Sequence, residues 1–245
     1  MSAPTERLRS PGQRAERAGR ILDAAADLLL RHGYRRVTID DVAAGAGIGK
    51  GTVYLHWKTR EQLFGVVFAR ELLSAVDELR LELRRDPRAG LLHRFARAYF
   101  LAIVRRPLLR GFLLGDPEML GRLTAAPGTA RDARHAATLA GYLRLLSEHG
   151  LLRDDMDADE VGHAYQATFE GFLRAGDAPG DAAGDAASVD GPERRADLLA
   201  RTVQRAFESD APASDAALAE VAAATAALLG DLIDADRAEF DIPEL

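Results

Sequence analysis

A chain of 245 residues with 47% hydrophobic side chains can bury a substantial core, as one large domain or two small ones. The absence of cysteine excludes a disulfide framework, a thiolate metal site and a cysteine nucleophile. The net charge of −6 conceals an asymmetry: residues 1–60 hold 11 Lys or Arg against 6 Asp or Glu, a net of +5, and the remainder carries −11, as suits a protein that offers one end to a polyanion.

Low aromatic content (6%), abundant Ala and Leu and no run alternating with a period of two predict an all-α fold. Residues 1–13, with Pro4, Ser10, Pro11 and Gly12 among charges, read as a disordered arm. They have no apolar core of signal-peptide length, no later run is read as a membrane span, and a cytoplasmic protein is expected. From about 13 to 32 an amphipathic helix puts Ile21, Leu22, Ala25, Leu28 and Leu29 on one face, and Gly33 ends it. Thr38 with Asp41 is a capping-box variant opening a short helix with Ile39, Val42, Ala43 and Ala46 inward. Gly45 is a poor helix former inside it, and Gly47 is placed to turn the chain back through the left-handed conformation. A second short helix over 49–56 turns Val53 and Trp57 inward and leaves Lys50, Gly51, Thr52 and Tyr54 facing out. Helix, glycine turn, helix is the spacing of a DNA-reading helix-turn-helix.

Thr59 with Gln62 opens a long helix to about 83, the natural connector between the N-terminal module and the body, and Asp86-Pro87 breaks it. Helices are then predicted over 91–104, 108–114, 117–123, 129–149 (closed by Gly150) and 157–173 (capped by Asp157 with Glu160). The run 175–192 is Gly, Asp and Ala with almost no large apolar group and reads as a mobile acidic loop. Helices over 193–208 and 215–236 follow, and the last residues look frayed.

The segment G-I-G-K-G-T-V-Y-L-H-W-K-T-R-E-Q-L-F, with the upstream run I-L-D-A-A-A-D-L-L-L-R-H-G-Y, resembles the DNA-binding region of tetracycline-repressor-type (TetR) regulators over about residues 14–68. Gly49 stands where that family often has a small hydroxyl residue. The resemblance implies an arm (1–13), a DNA-binding domain (14–60), a helical ligand-binding and dimerisation domain (61–208) and a C-terminal extension (209–245). It implies DNA contacts from Thr38, Gly49, Lys50, Gly51, Thr52, Tyr54, His56, Lys58 and Arg60, with Lys50 aimed at base edges and Arg60 among the backbone contacts. It also implies a small effector enclosed in the body, for which Tyr99, Phe112, Met119, Tyr142, Tyr165 and Phe169 supply candidate walls and His163 and Gln166 candidate polar anchors. The family pairs through its last two core helices, here 157–173 and 193–208. Small residues Ala164, Ala167, Thr168 and Gly171, with Leu198, Leu199 and Thr202, are the candidate dimer face.

No catalytic residue, metal site or cofactor is expected. The six histidines are scattered, the glycines at 45, 47, 49 and 51 lie between helices rather than after a strand, and the one Glu160/His163 pair is a single copy of a motif that a di-metal bundle needs twice. The reading is a homodimeric repressor released from a palindromic DNA operator by a small molecule. The alternatives are an all-α enzyme or carrier bundle with a DNA-reader-like N-terminus, and a regulator of this type without small-molecule control.

Overall fold

The computed structural model of the chain describes residues 11–115, 130–175, 191–240 and 242. Helix α1, Pro11–Arg36, buries Ala18, Ile21, Leu22, Ala25 and Leu29. Gly33, at φ 69° and ψ 165°, breaks its helical geometry and drops Tyr34 into the core at 2% exposure. A side chain with a Cβ would be strained at that φ. Two short helices follow, α2 (Ile39–Gly45) and α3 (Lys50–His56), then the long α4 (Arg60–Arg85). Both halves of the Thr38 capping box form: its hydroxyl accepts from the Asp41 N–H, and the Asp41 carboxylate accepts from the Thr38 N–H at 2.8 Å. Gly47, at φ 67°, makes the turn between α2 and α3. The Thr59 hydroxyl accepts from Gln62 N–H as expected, while the Gln62 side chain reaches past it to the Lys58 N–H at 2.8 Å.

In the body, Asp86 stops α4 and caps a 3-10 turn, Pro87–Gly90. Then come α5 (Leu92–Val104), α6 (Pro107–Leu114, ended by left-handed Gly115), α7 (Ala130–Glu148), α8 (Ala158–Arg174), α9 (Pro192–Phe207) and α10 (Asp215–Phe240). Gly150, at φ 66°, follows α7, and the Asp157/Glu160 box opens α8. Among the described residues no strand forms, and the isolated bridge Leu152–Glu208 ties the start of the α7–α8 link to the end of α9. Helix α9 packs along α5, and α10 packs along α4 and against α7. Gly90 of the 3-10 turn is buried against Val221 and Ala222 of α10, where even a Cβ would stand at van der Waals distance, 3.5–3.6 Å from them.

Three expectations change. Helix α1 starts at Pro11, inside the stretch read as an arm; residues 1–10 lie outside those described. Residues 215–240 are part of the body's core: Leu218, Val221, Leu229, Leu232 and Ile233 are buried there. That same helix is long and apolar enough by composition to span a membrane, contrary to expectation, but one face is packed against α4 and α7 and it carries the buried Asp236. The helix expected over 117–123, the centre of the 175–192 loop and most of the last residues fall outside the described residues.

Candidate nucleic-acid interface and cavity

Helices α2 and α3 are each seven residues long, too short to stand alone, and their inner faces explain why they persist. Ile39, Val42, Ala43, Val53 and Trp57 are all buried in one core with α1 and the first turns of α4. Burying Val53 and Trp57 fixes the roll of α3, which leaves Lys50, Gly51, Tyr54 and Leu55 exposed and Thr52 and His56 half-buried. Leu55, 65% exposed, was not singled out from sequence: an apolar residue two positions from buried Val53 and Trp57 reads as core until the helix roll is known. On a DNA-facing surface it is suited to a thymine methyl group.

The charged and polar side chains around α3 are not equally available. Lys50 donates to the Asp40 carboxylate on α2 at 2.7 Å, and that hydrogen bond raises its pKa. Lys58 and Gly49 are exposed, Lys58 reaching the Tyr54 carbonyl at 3.4 Å. His56 lies against Trp57, ring centroids 5.2 Å apart. Thr38 spends its hydroxyl on the α2 cap, and its two hydrogen bonds hold the Asp41 carboxyl below its ordinary value.

Arg60 departs most from expectation. Its guanidinium lies 4.3 Å from the Tyr34 ring centroid and 5.9 Å from that of Phe64, and donates to the carbonyls of Tyr34 (3.4 Å) and Val37 (3.2 Å). Tyr34 lies in the last turn of α1 and Val37 just beyond it, so Arg60 braces the end of α1 against α4.

The body holds a partly open cavity of about 570 Å³. Leu72, Val76 and Leu79 of α4 form one wall, Phe95, Tyr99 and Ile103 of α5 another, and Phe112 of α6 a third. Tyr142 of α7 and Tyr165, Gln166 and Phe169 of α8 face them, and Thr225, Leu228, Leu229 and Leu232 of α10 complete the lining. Tyr99 stacks on Phe169 with centroids 5.4 Å apart, and Tyr142 donates to the Gly90 carbonyl at 2.8 Å. Burial pushes the Tyr99 hydroxyl up to about 12 and raises those of Tyr142 and Tyr165 too. The candidates Tyr99, Phe112, Tyr142, Tyr165, Gln166 and Phe169 thus surround one space. His163 does not: it is exposed and outside the lining. Met119 falls outside the described residues. The α4 and α10 walls were not singled out from sequence as cavity, because their Leu and Val spacing is that of any packed helix.

Of the candidate pairing residues, Ala167, Gly171 and Thr202 are exposed and Ala164, Thr168 and Leu198 half-buried. Leu199 must be removed from the set: it is fully buried on the monomer's own α9 core face. Among the described residues no group of three His, Asp or Glu is arranged to hold a metal ion.

This geometry agrees with the comparisons. Residues 21–67 match the family model described as bacterial regulatory proteins, tetR family. The chain is 39% identical over 61 residues to the transcriptional regulator YhgD of Bacillus subtilis, and 32% identical over 112 residues to an HTH-type transcriptional repressor of Mycobacterium tuberculosis. The alignments cover 24% and 46% of this chain and 32% and 57% of those relatives, so the match spans from about a third to just over half of their length. Among solved structures, NalD, the secondary repressor of the MexAB-OprM multidrug efflux pump in Pseudomonas aeruginosa, superposes with a TM-score of 0.55 at 18% identity, over 82% of this chain and 100% of that one. A complex of SmeT, the repressor of the Stenotrophomonas maltophilia multidrug efflux pump SmeDEF, with triclosan gives 0.52 at 21% identity, over 80% and 93%. At these identities the structural likeness speaks for the fold. The N-terminal module over residues 21–67 is thus similar to the DNA-binding region of the tetR family of bacterial regulatory proteins, and the described chain shares the fold of solved regulators of that kind.

Proposed function

We propose that the chain acts in the cytoplasm as a homodimeric, sequence-specific transcriptional repressor. Each copy sets α3 into the major groove of a palindromic DNA operator, and a small molecule in the body cavity releases the pair. One observation carries the reading. A single uninterrupted helix, α4, begins beside α3 and ends with Leu72, Val76 and Leu79 in the cavity wall. Its 26 residues rise about 1.5 Å each, a lever long enough to turn a small change in the cavity into a change in where α3 sits. Two copies are required because a seven-residue recognition helix reaches only a few base pairs. The exposed small residues Ala167 and Gly171 on α8 support a close helix approach between copies. The triclosan bound to SmeT supports a cavity of this kind as an effector site, by likeness of fold alone.

Footprinting on the DNA upstream of the protein's own gene tests this. The expected result is two protected half-sites related by two-fold symmetry, centred one helical turn, about 34–36 Å, apart. A single asymmetric footprint would contradict the paired reading, and protection without sequence preference would contradict the operator.

A further inference from the structure

The cavity's polarity is unusual in how it is distributed. Among the described residues, charge occurs in the lining only where a neighbour of opposite charge already meets it. Arg131 pairs with Asp132 at 3.2 Å and lies over the Phe112 ring at 4.9 Å; His135 meets the buried Asp236 at 2.8 Å; Glu170 stands 3.9 Å from Arg174. The α4, α5, α6 and α10 walls carry no charged side chain at all among the described residues. Hydroxyls, in contrast, are left over. Thr225 is 1% exposed and its oxygen has no hydrogen-bond partner. Tyr165 is 4% exposed and Tyr99 half-buried, and neither phenol hydrogen-bonds to another of the described residues, whereas Tyr142 is satisfied by Gly90. These three hydroxyls come from three helices, α5, α8 and α10, and line the same space. Buried polar groups without partners are rare because each costs free energy, so the buried Thr225 hydroxyl, with two phenols lining the same space, marks the cavity as shaped for a ligand's own polar atoms. A hydroxyl both donates and accepts, and it can meet a neutral group of either kind. A charged group would instead have to be desolvated with no free counter-charge to receive it.

We infer that the cavity takes an uncharged, largely aromatic molecule that stacks between Tyr99, Phe169 and Phe112 and presents a neutral hydroxyl or carbonyl to Tyr99, Tyr165 and Thr225. This rests on the reading of the cavity as the effector site and names the chemistry that site selects. The space, about 570 Å³, lies in the range of about 300–1,000 Å³ that holds drug-sized ligands.

Four probes with one ring system separate the possibilities: naphthalene, 2-naphthol, 2-naphthoate and 2-naphthylmethylammonium, titrated calorimetrically into the full-length chain at neutral pH, with operator binding followed in parallel. Binding of 2-naphthol at least tenfold tighter than naphthalene is expected, with both ions at least tenfold weaker than 2-naphthol. In a Tyr99→Phe, Tyr165→Phe, Thr225→Val variant the 2-naphthol advantage should collapse to within about twofold while naphthalene binding persists, which also shows that the variant is folded. Either ion matching 2-naphthol, no binding by any of the four, or an undiminished 2-naphthol preference in the variant would overturn the inference. Tight 2-naphthol binding with operator affinity unchanged would leave the ligand class standing and sink the release mechanism instead.

Discussion

Two cations in the same motif, Lys50 and Arg60, have opposite surroundings, and this separates their roles. Lys50 is exposed at the first turn of α3 and held by one carboxylate, Asp40. An exposed pair of this kind is worth little to folding, so Lys50→Ala should leave unfolding free energy within about 0.5 kcal/mol. On operator it should cost about 1–3 kcal/mol per half-site and relax preference at one base pair, because lysine there can donate to guanine O6 and N7. Arg60 is the converse. With its guanidinium over Tyr34 and two carbonyls at the end of α1 satisfied, Arg60→Ala should destabilise the fold by about 1–2 kcal/mol. It should leave the salt dependence of DNA binding unaltered. Urea unfolding and operator titrations at several salt concentrations check both, and a salt slope lowered by about one unit per monomer in Arg60→Ala would return that residue to the phosphates. The motif's spacing was legible in the sequence, whereas Arg60's partners depend on Gly33 turning Tyr34 back onto α4, a tertiary fact that no local pattern records.

At the scale of elements, α10 is the part whose role the sequence concealed. Its span could be approximated from the alanine-rich pattern, but the same pattern suits a free extension or a core helix. What decides is distant in the chain: the 3-10 turn packing on Val221 and Ala222, and Asp236 receiving Arg134 and His135 from the start of α7. Burial alone would raise the Asp236 carboxyl, but the hydrogen bonds from His135 and Arg134 outweigh it and hold the group below its ordinary value. A depressed carboxyl contributes stability that is present above the unfolded value near 3.8 and is lost as pH falls through the lower folded value. Asp236→Ala should therefore cost about 1.5–3 kcal/mol at neutral pH and flatten the acid limb of the stability curve. At the other end of α7, His149 accepts the opposite sign. Its ring lies 2.9 Å from the Leu145 carbonyl and 3.1 Å from Glu220 of α10, which raise its pKa above 6.5. That contribution is complete below the unfolded value and fades as pH rises through the raised folded one. Thermal midpoints of His149→Gln and the unaltered chain should accordingly converge as pH rises from about 6 to 8, and a constant difference would show that the histidine's charge is not what ties α7 to α10.

For the molecule as a whole, the proposed function has the cavity and the α2–α3 module communicate through α4, and on that reading effector and operator must oppose each other by equal factors. If 2-naphthol weakens operator binding tenfold, operator must weaken 2-naphthol binding tenfold, a relation fixed by linkage. Equilibrium titrations in both directions check it, and unequal factors would mean that the two ligands do not act on one shared conformational equilibrium. Prior to such coupling stands the central claim, that α3 reads DNA sequence from a paired protein. The most direct measurement is equilibrium binding of the full-length chain to the duplex from its footprinted site and to a duplex of scrambled sequence, over a series of salt concentrations. Two chains per operator duplex are expected, with at least a thousandfold preference that survives at salt concentrations where the scrambled duplex no longer binds. One chain per duplex, or the same affinity and the same salt slope for both duplexes, would contradict the account.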